Sequence, residues 1–217
     1  MLALGGATIH SFLLVILIGF MWVSAEKGWM ELHMLGGYAV LTLVLFRILW
    51  GFFGSTTARF GDFLYGPGRM LAFGKDLLAR RPSHYSGHNP LGGAMVLILI
   101  LVILFQAGTG LFANDDIATE GPLYGWVGKD LSDRLTSWHK FNINILYGLI
   151  AAHIAAVLYH WLVLKEDLVA AMITGRKQGS SEPGSKSLRF ASPWLAAALF
   201  AASGIGVWLL VTRFVNP

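Results

Sequence analysis

The sequence predicts an all-α integral membrane protein: a four-helix transmembrane bundle with a fifth transmembrane helix at its C-terminal end. Three observations predict it. Of the 217 residues, 55% are hydrophobic and 13% charged, whereas soluble domains carry about 25% charged residues; the mean hydropathy is +0.62. The apolar residues gather in runs long enough to cross a bilayer as helix, which takes about 20 residues. Lysine and arginine gather in alternate connections between those runs, the asymmetry that sets membrane orientation. Cysteine is absent, which excludes thiolate-held zinc, iron–sulfur clusters, cysteine nucleophiles and disulfides. The net charge of +4 flanks apolar spans, so it points to membrane lipid rather than to nucleic acid.

The first span reads as about 7–23. It carries His10 and lacks a basic leader, so Ser24-Ala25 follows a retained helix rather than marking a cleavage site. The second, 32–53, opens on His33-Met34-Leu35-Gly36-Gly37-Tyr38 and closes around Arg47 to Gly54. Within the long connection that follows, Pro67 to Arg81 reads as an amphipathic helix on the membrane surface. Pro67 suits a first turn, Met70, Leu71, Phe73, Leu77 and Leu78 are apolar, and Arg80-Arg81 end it. The third span, 91–111, is interrupted by Gln106, Gly108 and Gly110, and the acidic loop after it reads as solvated charge. The fourth span, 139–164, completes a bundle domain over residues 1–175. A polar linker, 176–192, then leads to the fifth span within 193–217.

Arg59, Arg69, Lys75, Arg80 and Arg81 lie between spans two and three, and Lys165, Arg176, Lys177, Lys186 and Arg189 between four and five. The opposite connections hold only Lys27 in one, and Lys129 and Arg134 in the other. The positive-inside rule therefore places the basic loops in the cytoplasm of a bacterial inner membrane, with the N-terminus inside and the C-terminus in the periplasm.

Histidines give the spans a function. His139 and His153 stand fourteen residues apart on span four, close to four whole turns, so both leave one helix face about 21 Å apart along the axis. Inward imidazoles at two depths of a bilayer are costly unless something binds them, and two stacked haems fit that demand. His33 and His139 both begin spans at the outer face, and His10 lies near the inner start of span one. Depth matching then assigns His33 with His139 to an outer haem and His10 with His153 to an inner one. Six-coordinate iron of this kind suits electron transfer and leaves no open position for substrate, so no catalytic residue is assigned. Gly36, Gly37 and Gly148 leave room near the histidine face. Arg47, fourteen residues after His33, either faces a haem propionate or snorkels to the headgroups. His160 reads as a quinone-binding or proton-carrying group, or as an interfacial histidine beside Trp161; His84 and His88 read as solvated.

Ser137-Trp138-His139, Tyr147-Gly148, Ala152-His153 and His160-Trp161 resemble the fourth helix of bacterial dihaem cytochrome b561. The stretch from His33 to Tyr38 and that from Phe46 to Gly54 resemble the b-type cytochrome subunits of nickel–iron hydrogenases, as do Gly87 to Gly93 and Gln106 to Gly110. Where those relatives often carry arginine before the first histidine and tryptophan after it, Ala7 and Ser11 stand here. The resemblance implies two b haems on His10, His33, His139 and His153, electron exchange with membrane quinone, and a position for His160 by the quinone end. The expected function is electron transfer between quinone and a periplasmic or membrane redox partner, such as a c-type cytochrome, a hydrogenase or another dehydrogenase. An alternative is oxidation of superoxide or another small molecule, with Lys129, Arg134 and Lys140 drawing an anion to the outer haem edge. A third, of a different class, is a haem-free histidine-rich scaffold or metal transporter.

Overall fold

A computed structural model describes residues 2–80, 85, 88–166 and 190–214. Among these residues the chain is helical, apart from turns and one isolated bridge between Asn114 and Glu120. The helices are α1 (Leu2–Glu26), α2 (Met30–Phe53), the short α3 (Phe60–Phe63), α4 (Pro67–Leu78), α5 (Pro90–Gly110), α6 (Lys129–Leu162) and α7 (Pro193–Arg213). Proline opens α4, α5 and α7, at a position where its missing N–H costs no helical bond. Asn89 caps α5 by accepting from the Gly92 amide at 2.7 Å, and Ser192 caps α7 by accepting from Trp194 at 3.2 Å. Most of the 176–192 linker, and with it Arg176, Lys177, Lys186 and Arg189, lies outside the described residues, as do Arg81 and His84.

Four of the described helices, α2, α5, α6 and α7, are long and apolar enough to cross a membrane; in α1 the segment Leu13–Glu26 is apolar. The 34 residues of α6 run about 51 Å at 1.5 Å per residue, well beyond a hydrocarbon core of about 30 Å. The helix begins ten residues before the expected start of span four, because its first turns are polar and carry no apolar run to announce them. Lys129 pairs with Asp133 one turn on at 3.1 Å, and buried Ser132 donates to the Phe112 carbonyl at 2.7 Å.

The helices pack in pairs, α1 on α2, α2 on α5 and α5 on α6, with α7 also on α2 and α4 against α5. One buried cluster joins Val40 and Val44 of α2, Ile100 and Ile103 of α5 and Leu146 of α6. A second joins Leu41, Leu111, Leu123 and Val207, so α7 is fastened at the end that carries the acidic loop. There Trp126 also donates its indole N–H to the Phe214 carbonyl. At the other end the Ala191 amide donates to Ser55 Oγ at 3.1 Å. Large apolar side chains elsewhere on the helices are exposed, among them Leu101, Phe105, Ile154 and Trp208, the surface expected where the surroundings are lipid.

Gly36 and Gly37 do not sit where the sequence suggested. Both face Met21 of α1, and a methyl on Gly36 would meet the Met21 sulfur at 2.5 Å. They let α1 and α2 approach; Gly148, with no other atom within 4 Å, keeps the expected clearance. Gly93 serves a similar close approach, between α5 and α3. A methyl there would collide with the Phe63 carbonyl, which is backbone and does not yield as a side-chain tip does. Gly93→Ala is therefore expected to cost about 1–3 kcal/mol, read as earlier thermal unfolding in detergent; an unchanged transition would refute the contact.

Candidate functional site

His33 and His139 come together. Their ring centroids are 6.2 Å apart and the rings nearly perpendicular, at 78°. His33 stands one turn into α2, and its Nδ1 lies 3.1 Å from the Met21 carbonyl and 3.2 Å from Ser24 Oγ. His139 stands in the third turn of α6, and its Nδ1 lies 2.9 Å from the Gln106 carbonyl of α5. A carbonyl only accepts, so Nδ1 carries the proton in each ring and Nε2 keeps the lone pair. Helix α6 packs closely on α5 but not on α1 or α2, so the imidazoles meet across the separation between α6 and α2.

The supporting groups around His139 are those that looked like interruptions of span three. Besides the Gln106 carbonyl, Gln106 Oε1 accepts from Asn142 Nδ2 at 2.7 Å, and Thr109 Oγ1 lies 3.4 Å from His139 Nδ1. A methyl on Gly110 would come within 3.0 Å of His139 Cε1. Sequence reasoning missed Gln106, Thr109, Asn142 and Ser24 as orienting groups. The available signal was polar residues three or four apart inside an apolar run.

Seven residues past His139 comes Leu146, 2% exposed, packed with Val40, itself seven past His33. These form an apolar layer about 10 Å below the histidine pair by the helix rise. A further seven residues reach His153 and Arg47. His10 of α1 is buried, neither ring nitrogen has a hydrogen-bond partner, and the ring lies 5.8 Å from Phe46. His153 is exposed on α6, and among the described residues no ring contact joins it to His10. Arg47 Nη1 donates to the Ala58 carbonyl at 3.3 Å, and its guanidinium lies 5.6 Å from the centres of both Phe60 and Phe63. The cation is folded into the α3 connection rather than extended toward headgroups. His88 retains an exposed surface but rests on Phe63 at 5.0 Å. Desolvation by the surrounding protein, then the charges of Arg47 and His153, hold its imidazole below the ordinary histidine value.

At the C-terminal end of α6, buried His160 is bonded through Nδ1 to Glu166 Oε2 at 2.9 Å. Glu166 has no apolar periodicity around it and was invisible in the sequence; only the turn after α6 brings it back. Beside the pair, Tyr159 Oη donates to the Leu77 carbonyl of α4 at 3.1 Å. On the opposite side of the molecule, Lys129 is held by Asp116 and Asp133, which leaves it poorly placed to draw a small anion. The acidic loop there is ordered by Asp115, whose Oδ1 accepts from the Thr119, Ile117 and Ala118 amides. Those bonds hold its carboxyl well below the usual carboxylate range.

Comparison with known proteins places the chain in a family. The profile of prokaryotic cytochrome b561 matches residues 6–175. A probable Ni/Fe-hydrogenase B-type cytochrome subunit of Bradyrhizobium diazoefficiens is 27% identical over 67% of this chain and 65% of its own length. The corresponding subunit of Cupriavidus necator is 26% identical over 66% of this chain and 64% of its own. That of hydrogenase 1 of Escherichia coli K12 is 23% identical over 66% and 68%. The match thus spans just under two thirds of the first two relatives. No solved structure matches the chain significantly. With four apolar helices of spanning length and a family match over most of its residues, the chain is a multi-pass membrane protein and belongs to the prokaryotic cytochrome b561 family.

Proposed function

We propose that the protein binds two b haems and carries electrons between a redox partner on the acidic-loop side and membrane quinone on the basic-loop side. The observation that carries this reading is the His33–His139 pair. Two metal–imidazole bonds of about 2 Å, with ring centres about 1.1 Å from each ring atom for bonds near 1.33 Å, set axial imidazole centroids about 6.3 Å apart. The observed separation is 6.2 Å. Metal-binding histidines donate the other ring N–H to a carbonyl or carboxylate, as both Nδ1 atoms do here. Among the described residues no group of three or more His, Cys, Asp or Glu converges. A bare ion wants three or four protein donors; a macrocycle with four equatorial nitrogens needs two, which favours haem over a transported metal.

His33 and His139 hold the outer haem, and His10 with His153 the inner one. His10 is buried with neither ring nitrogen bonded to protein, so one of them is open to an iron. Arg47 balances a propionate of the inner haem. Bound haem supplies one-electron exchange between ferric and ferrous iron. The protein fixes both imidazole tautomers, keeps water out through the Val40–Leu146 layer, and holds the two levels about 21 Å apart along α6. Lysine and arginine placement puts the basic loops in the cytoplasm of a bacterial inner membrane and the C-terminus in the periplasm. The relatives' names favour a hydrogenase as the partner.

Detergent-purified protein is expected to show a reducible b-type spectrum with about two haems per chain by pyridine haemochrome assay, in line with two axial pairs. A content well below two would overturn the reading.

A further inference from the structure

One arrangement occurs twice, once at each of the two histidines that meet. Ser24 Oγ donates to the Met21 carbonyl at 3.0 Å and lies 3.2 Å from His33 Nδ1; His33 Nδ1 is 3.1 Å from the same carbonyl oxygen. Thr109 Oγ1 donates to the Gln106 carbonyl at 3.0 Å and lies 3.4 Å from His139 Nδ1; His139 Nδ1 is 2.9 Å from that oxygen. Each imidazole therefore shares its carbonyl with a hydroxyl.

We propose that Ser24 and Thr109 are positioning residues that raise the reduction potential of the outer haem, each by weakening the hydrogen bond its histidine gives to a carbonyl. This rests on the haem reading above and adds to it two residues and a direction. Hydroxyls inside helices commonly bond a carbonyl three or four residues back, and Thr109 also reaches the Phe105 carbonyl at 2.8 Å. That habit accounts for the bonds but not for the repetition. The two carbonyls that receive an Nδ1–H each carry a hydroxyl as well, one on α1 serving His33 of α2 and one on α5 serving His139 of α6. Ser24 is 0% exposed and Thr109 4%, so water does not compete for either hydroxyl.

The direction follows from the charge on the carbonyl oxygen. An Nδ1–H bond to a carbonyl pushes electron density through the ring and makes Nε2 a stronger donor to a metal. A stronger donor favours the ferric form, and hydrogen bonding of this kind is one of the levers on a haem's potential. A carbonyl that already accepts an O–H has less charge to offer the N–H. The push is then reduced at both ends of the axis, the ferric form loses part of its advantage, and the potential rises. At this burial nothing solvates the difference away. The Nδ1 protons stay in place while one electron is gained or lost, so no bond of the chain is made or broken.

The test is a potentiometric titration of full-length, haem-loaded protein, with the outer haem identified as the one kept by His153→Ala. Ser24→Ala and the isosteric Thr109→Val are each expected to lower its midpoint. The expected size is about threefold in the ferrous-to-ferric ratio at fixed potential, or about 28 mV at 59 mV per decade for one electron. The pair together should give about tenfold, since they act on different ligands. Thr109→Ser, which keeps the hydroxyl, should hold the wild-type potential. Haem content, the low-spin electron paramagnetic resonance signal and the inner haem's midpoint should not move. An outer midpoint that stays or rises in both hydroxyl-deleted variants overturns the proposal. So does a shift in Thr109→Ser equal to that in Thr109→Val, or an equal shift at the inner haem. The two sites lie on different helices, so failure of one variant to fold leaves the other to decide. If the wild type shows no reducible b-type transition, the haem reading itself falls and takes this proposal with it.

Discussion

Alanine in place of His139 is expected to remove one of the two proposed haems, and alanine in place of His33 the same one. The two rings meet nearly at right angles from α6 and α2, so on the two-haem proposal each variant deletes half of one ligand pair. Loss of an outer-shell partner costs about 10–100-fold in metal affinity; loss of the ligand itself costs more, and purified protein should retain one haem per chain. The double variant His33→Ala/His139→Ala should lose no more than either single one, because residues acting through one bound group are not additive. Alanine at His153 should remove the other haem. Haem per chain and the difference spectrum decide it: if the His33 and His139 variants lose different haems, the pairing is wrong. The same assay reads the support shell. A methyl on Gly110 presses on His139 Cε1, and its expected effect is a shifted spectrum at full haem content.

The second large effect is on stability. Leu146→Ala empties the layer between the two histidine levels, where Leu146 is 2% exposed against Val40, Val44, Ile100 and Ile103. In soluble proteins buried Leu→Ala costs about 2–5 kcal/mol, part transfer from water and part cavity. Between membrane helices the transfer term is weak, since lipid is as apolar as a leucine neighbour. What remains is lost packing, so about 2 kcal/mol is expected, seen as a lower unfolding midpoint in detergent. Leu101→Ala, on the exposed side of α5, should leave the midpoint unchanged. Equal effects at both positions would mean that Leu146 is not a core residue.

The spans were legible because a bilayer demands long unbroken apolar helix, and composition records that demand directly. The start of α6 was not legible, because its polar turns are held by Lys129–Asp133 and by Ser132 on the Phe112 carbonyl, which leave no hydrophobic period. Among the site residues, the histidines stood out because a polar group in an apolar run is expensive. The groups that orient them did not. Gln106 and Gly110 looked like defects of span three, and the tertiary contact is what turns them toward His139. Gly36 was misassigned for the same reason: the sequence records that a side chain is missing, not whether a cofactor or Met21 fills the space.

By itself, then, the sequence determined the membrane class, the face of α6 that carries His139, Leu146, His153 and His160, and the family. These follow from composition and helical period, which are local along the chain. Only the tertiary structure decided that His33 meets His139 at 6.2 Å with both tautomers set by carbonyls. It also decided that Arg47 turns into the α3 connection and that Glu166 returns to His160. Each of these joins residues from different helices, or across the turn that ends one, and no local period records such a contact.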